Sequence, residues 1–111
     1  MLRLELELLP LPFANQLRRA ALSVPLNIAE GAGKTSNLDK RRFYGIARGS
    51  SLECAAILDA IEVLGLIESP VLGYGKELLA EVAAMLSGLC LRWDGRNKEI
   101  GAVQAQAQAK G

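Results

Sequence analysis

The chain has 111 residues, half of them apolar but only 5% aromatic, with no histidine, two cysteines and a formal net charge of +1. That length holds one domain with a single core, and the missing histidine removes the commonest general base, the serine triads and most zinc sites. The small total charge hides a dipole: residues 18–48 carry seven basic against two acidic side chains, and residues 49–81 carry six acidic ones against Lys76. Such asymmetry points to a polyanionic partner or to head-to-tail self-association.

Leu2, Leu4, Leu6 and Leu8 alternate with Arg3, Glu5 and Glu7. With no second strand to pair with, this reads as a short helix or extended arm ending at Pro10 and Pro12. The segment is too acidic for a signal peptide, and no stretch approaches the ~18 apolar residues of a spanning helix. The chain therefore reads as soluble and cytoplasmic, with no membrane partner.

From about Phe13 the apolar period is helical. Leu17, Ala20, Ala21, Val24 and Ile28 share one face, while Leu22 and Leu26 lie on the far side. A helix apolar on two faces needs partners on both, in its own fold and across a subunit boundary. Pro25 predicts a kink near Leu22–Leu26, and Gly31 and Gly33 predict the stop. Ser36 or Asn37 caps the next helix, with Asp39 in its first turn. Phe43, Ala47, Ser50, Cys54, Ile57, Ile61 and Leu64 then form a heptad seam, the pattern of left-handed bundle packing. Gly49, Ser50 and Ser51 predict a close crossing, and Gly65 ends the helix. Ser69-Pro70 starts the last one, with Gly73 and Gly75 able to delay regular helix to Lys76. Leu78, Leu79, Val82, Met85, Leu86, Leu89 and Trp93 make its stripe, closed by Gly95. Few β-branched residues and many Leu and Ala agree with an all-α, antiparallel up-down helical bundle. Residues 1–95 are the bundle domain; residues 96–111 read as a low-complexity, disordered tail.

Catalytic chemistry is sparse. Cys54 and Cys90 sit in apolar helical patterns, as buried free thiols do, and neither belongs to a CxxC. Gly31-Ala-Gly-Lys34 lacks the spacing of a phosphate loop and no strand precedes it. Asp59 and Glu62, one turn apart, read as a solvated face in preference to a metal site. Arg19, Ser23, Asn27 and Glu30 fall in one polar strip; Glu30 and Glu53 each border an apolar stripe, as in a salt-bridge network that fixes register. No enzyme and no cofactor is predicted. Arg18, Lys34, Lys40, Arg41 and Arg48 are the candidates for contacts to phosphates, Arg41 and Arg48 projecting opposite the heptad seam. Arg19, Leu22, Leu26 and Glu30 are the candidates for an oligomer interface.

The runs Gln16-Leu-Arg-Arg-Ala-Ala and Ser23-Val-Pro-Leu-Asn-Ile-Ala-Glu-Gly31, then Arg42-Phe43, Ala47-x-Gly-Ser50-x-x-Glu53 and Leu64-Gly65-Leu66, resemble the proteins encoded in intervening sequences of bacterial 23S ribosomal RNA genes. They are also similar to the accessory variability determinants of diversity-generating retroelements. The resemblance spans roughly residues 10 to 93. It implies a four-helix bundle, here with its first helix shortened to Leu2–Leu9, and assembly into rings of five. It further implies a basic surface for nucleic acid, a protein partner such as a reverse transcriptase, and no catalysis. The competing reading is a purely structural homo-oligomer whose charges serve solubility and docking.

Overall fold

The computed structural model describes residues 9–94, which form three helices and no strand: α1 (Leu11–Gly33), α2 (Asn37–Val63) and α3 (Pro70–Arg92). The chain is thus all-α over these residues. The predicted N-terminal stub, except for Leu9, and the tail at 96–111 lie outside the described residues.

Helix α1 starts two residues earlier than the apolar period indicates. Pro10 is its N-cap without a side-chain acceptor, and its carbonyl instead takes the amides of Phe13 (3.0 Å) and Ala14 (3.2 Å). Pro12 fits the first turn, where a missing N–H costs nothing. Pro25 lies inside a helix that runs on past it to Gly33. Nor do the glycines stop the helix by adopting a left-handed conformation, since Lys34 caps it with extended backbone. Gly31 serves packing: a Cβ there would stand 2.8 Å from Cε1 of the Tyr44 ring.

Ser36 caps α2, its hydroxyl accepting from the Asp39 amide at 3.1 Å. At the other end Gly65 (φ 67°) closes a Schellman turn, with Leu66 N–H on the Ile61 carbonyl and Gly65 N–H on that of Glu62, both at 3.1 Å. Ser69 caps α3, which begins at Pro70, so Gly73 and Gly75 do not delay it. Arg92 is its last residue and Trp93 its C-cap; Gly95 is outside the described residues.

Helices α1 and α3 each pack along α2. Gln16 meets Glu53, Ser23 meets Ser50 and Gly31 meets Tyr44, while Arg48 meets Ser87 and Lys76 meets Asp59. Two apolar clusters result. Leu9, Ala14, Ile61, Ile67 and Leu72 form one, with Phe13, Leu17, Ile57 and Leu58 against it. Tyr44, Ala47 and Leu86 form the other, with Ile28, Val82, Leu89, Cys90 and Trp93. Ile61 and Leu86 are essentially solvent-free, each contributing about 2 kcal/mol of burial. The heptad seam is buried at Ala47, Ser50, Cys54 and Ile61, but its last member, Leu64, is exposed because it caps α2. Tyr44 and Ser51 are buried beside that seam. A second neighbour widens the covered face of α2 beyond one heptad line. In the α3 stripe, Leu78 and Met85 are exposed and Leu72 and Ala83 are buried instead. Gly49 meets no neighbour, so Ser50 and Ser51 alone make the predicted crossing.

The crowding at Gly31 is testable. Gly31→Ala should cost about 1–3 kcal/mol in urea unfolding, and less in a Tyr44→Leu background, because the two positions share one contact. Equal losses in both backgrounds would exclude the clash as the cause.

Candidate nucleic-acid interface

Residues 38, 41, 45 and 48 recur every three or four positions and so share one stripe of α2. That stripe borders α3. Leu38, Asp39, Arg41, Arg42, Gly45 and Cys90 line one surface depression, and Gly45, Arg48, Ser87, Cys90 and Leu91 line the next. The two share Gly45 and Cys90, forming one shallow groove. Arg48 is held across it, its Nε donating to the Ser87 hydroxyl at 2.6 Å, while the Ser87 hydroxyl donates to the Ala83 carbonyl. Arg41 and Arg48 therefore flank the second packed face of α2, and do not stand away from all packing as the heptad seam alone implied. Arg41, Arg42 and Arg48 are exposed and have no carboxylate partner among the described residues.

Lys34 and Lys40 lie at the same end of the molecule but are partly engaged. Lys40 donates to the carbonyls of Gly31 (3.2 Å) and Ala32 (3.1 Å), satisfying acceptors that the end of α1 leaves open. Lys34 is 3.8 Å from Glu30. Four cations rest near two rings: Lys34 and Arg42 over Phe43 at 5.2 and 5.8 Å, Lys40 and Arg92 over Trp93, both at 5.4 Å. Arg18 does not join them; it is exposed on α1, sixteen residues and so about 24 Å before Lys34 along the helix. Arg42, Arg92, Phe43 and Trp93 belong to this end although none of them was among the predicted phosphate contacts. Their signal in the sequence was the neighbouring Arg-aromatic pairs Arg42-Phe43 and Arg92-Trp93.

The polar strip of α1 divides. Ser23 and Asn27 turn to α2: the Ser50 hydroxyl donates to that of Ser23 (2.7 Å), and the Asn27 amide donates to the Ser23 hydroxyl and carbonyl. Arg19 and Glu30 are exposed, eleven residues apart, and form no buried network; Glu53 is exposed too and accepts from the Gln16 amide at 2.8 Å. Leu22 and Leu26 face outward, 60% and 55% exposed, with Leu11 on the same side of α1.

Lys76 bridges Glu62 (2.8 Å) and Asp59 (2.9 Å), and those hydrogen bonds hold its ammonium above the usual lysine range. Among the described residues no group of three or more His, Cys, Asp or Glu could hold a metal ion. No described helix is long and apolar enough to cross a membrane. Both cysteines are free; Cys54 is buried, whereas Cys90 is half-buried at the groove, not fully buried as its pattern predicted. Burial, and then the neighbouring Glu53 charge, push the Cys54 thiol up.

Residues 11–88 match the family model described as 23S rRNA-intervening sequence protein. No curated protein matches the chain.

The thiols give a direct check. Cys90 is partly exposed at the groove and should be alkylated readily in the native protein, whereas burial and a raised pKa both lower the reactive thiolate fraction of Cys54 at neutral pH. Cys54 should react only on unfolding or at higher pH. Mass spectrometry after a brief iodoacetamide pulse reads the order, and equal labelling at pH 7 would contradict this burial.

Proposed function

The chain belongs to the 23S rRNA-intervening sequence protein family, and from that premise we propose that it acts without catalysis and without a cofactor, as a homo-oligomeric helical bundle that binds RNA or DNA through a basic surface. The observation that carries this reading is the row Arg41, Arg42 and Arg48 along one groove, none of them paired with a carboxylate among the described residues. Each can neutralise a phosphate, and repetition around an assembly multiplies the contacts. Lys34 adds charge at the same end. Arg18, on another part of α1, contributes only where a long polyanion spans subunits. Sequence choice then comes from elsewhere, from a partner such as a reverse transcriptase, as in the accessory variability determinants this chain resembles. The setting is the cytoplasm.

The assembly we infer is a ring, of five in the resembling proteins, built on an antiparallel up-down bundle of four-helix type with a shortened first helix. Gln16 with Glu53 and Ser23 with Ser50 between α1 and α2, then Arg48 with Ser87 and Asp59 with Lys76 between α2 and α3, rise on one helix as they fall on the next and support the alternation. Leu22 and Leu26 support the docking face: burying what each still exposes against a second copy is worth ~1 kcal/mol. Arg19 and Glu30 at its borders would set orientation more than strength. The second reading, a structural module indifferent to polyanions, is favoured by the engagement of Lys40 with the α1 carbonyls, which shows that part of the positive charge serves the fold.

Binding to a structured RNA should weaken steeply with salt, and Arg41→Ala with Arg48→Ala should lower the slope of log K against log salt by roughly 1.5–2. Binding that ignores salt, or none at low salt, would favour the structural module. Light scattering should give an oligomer, with Leu26→Asp yielding helical monomers or insoluble protein; a wild-type monomer at micromolar concentration would refute the docking face.

A further inference from the structure

We propose that Phe43 and Trp93 are positioning residues of a phosphate-backbone site at the end of the bundle where α1 ends and α2 begins. Each holds cations in place for a sugar–phosphate chain that is read without contact to its bases. This rests on the nucleic-acid reading above and adds where and how the backbone is held. The described aromatic residues are few, yet Phe43 has Lys34 and Arg42 over its ring and Trp93 has Lys40 and Arg92. A cation over a ring gains from the quadrupole and loses side-chain freedom before any ligand arrives. Long basic side chains otherwise lose that freedom on binding, which weakens affinity.

Helix-end electrostatics explain only part of this cluster. Lys40 is taken up by the Gly31 and Ala32 carbonyls, and Arg92 lies in the last turn of α3, where a cation complements the helix dipole. Arg42 sits in the second turn of α2, where no free helix carbonyl calls for a cation, and it has no carboxylate partner among the described residues. It lines the groove with Arg41 and is continuous with Arg48 through Gly45. Among the described residues the acidic groups at this end are Glu30, near Lys34, Asp39 in the first turn of α2, and Asp94. Rings already covered by cations are poor stacking platforms for bases, in contrast to single-strand binders that lay bases on bare aromatic faces.

The test is anisotropy of a short fluorescein-labelled single-stranded RNA over a series of salt concentrations, with helicity of each variant checked by circular dichroism. Phe43→Leu and Trp93→Leu remove no charge, so they should weaken binding about three- to tenfold at fixed salt and leave the salt slope unchanged. Phe43→Tyr and Trp93→Phe should restore it. Arg42→Ala should lower the slope by about 0.7, and Arg18→Ala should not. Trp93 also packs on the Tyr44–Leu86 cluster, so if Trp93→Leu loses helicity, the Phe43 pair decides. Leucine variants that bind as wild type, a slope change on Arg18→Ala equal to that on Arg42→Ala, or a strong preference among homopolymers overturns this inference alone. A wild-type protein that binds no RNA at low salt overturns it together with the reading beneath it.

Discussion

Ala47, Ser51 and Cys54 have almost no exposed surface, and they are small because α2 is covered from two sides. Helices α1 and α3 both pack along it, so a large side chain at its middle would hold both neighbours off. The polar atom this brings inside is satisfied locally, the Ser51 hydroxyl donating to the Ala47 carbonyl at 3.0 Å, which avoids the cost of an orphaned buried group. Bulk is displaced toward the ends: Ile57, Leu58 and Ile61 with Leu72 at one, Tyr44 with Leu86 and Trp93 at the other. The close approach of Gly31 to Tyr44 belongs to the same constraint, since a large ring fits there only where the facing helix has no side chain.

That arrangement also distributes charge. At the Tyr44 end two helices finish and one begins, so Lys40 meets the last carbonyls of α1, and Arg92 in the last turn of α3 complements that helix's dipole. Arg41, Arg42 and Arg48 remain as charge that no described carboxylate neutralises, although Arg48 also ties α2 to the Ser87 hydroxyl of α3. At the Ile61 end the logic is reversed, with Lys76 set between Glu62 and Asp59 and the exposed Glu68 and Glu77 nearby. The charge asymmetry of the sequence thus becomes a long-axis asymmetry of the molecule, of the kind that steers a charged partner to one end.

Helix type, a cap at Ser36 or Asn37, the start at Ser69-Pro70 and the stop at Gly65 were legible in the sequence, because hydroxyl caps and a left-handed glycine are local devices. The heptad seam was legible for the same reason, from Ala47 to Ile61. What one chain's periodicity cannot carry is the number of neighbours. Tyr44 and Ser51 fell outside a single heptad line, and Arg48 was assigned to an open face although α3 runs beside it. Lys40 looked like any surface lysine until the end of α1 was placed next to it. Arg18 sat in the same charged segment as Lys34, and only the rise of the helix separates them. Gly31 read as a stop signal, whereas the reason for glycine there is a ring on another helix.

The dominance of neighbour-on-neighbour packing bears on how the chain reaches this state. Short links at residues 34–36 and 64–69 join helices that pack directly on one another, so each docking step closes only a small loop and costs little chain entropy. Topologies of this low contact order fold on the order of microseconds to milliseconds. Helices α1 and α3 each dock on α2, and either can do so first without blocking the other. Tyr44 has a glycine contact on α1 and cluster partners on α3, so it is one of the few places where the order of those two events would be felt.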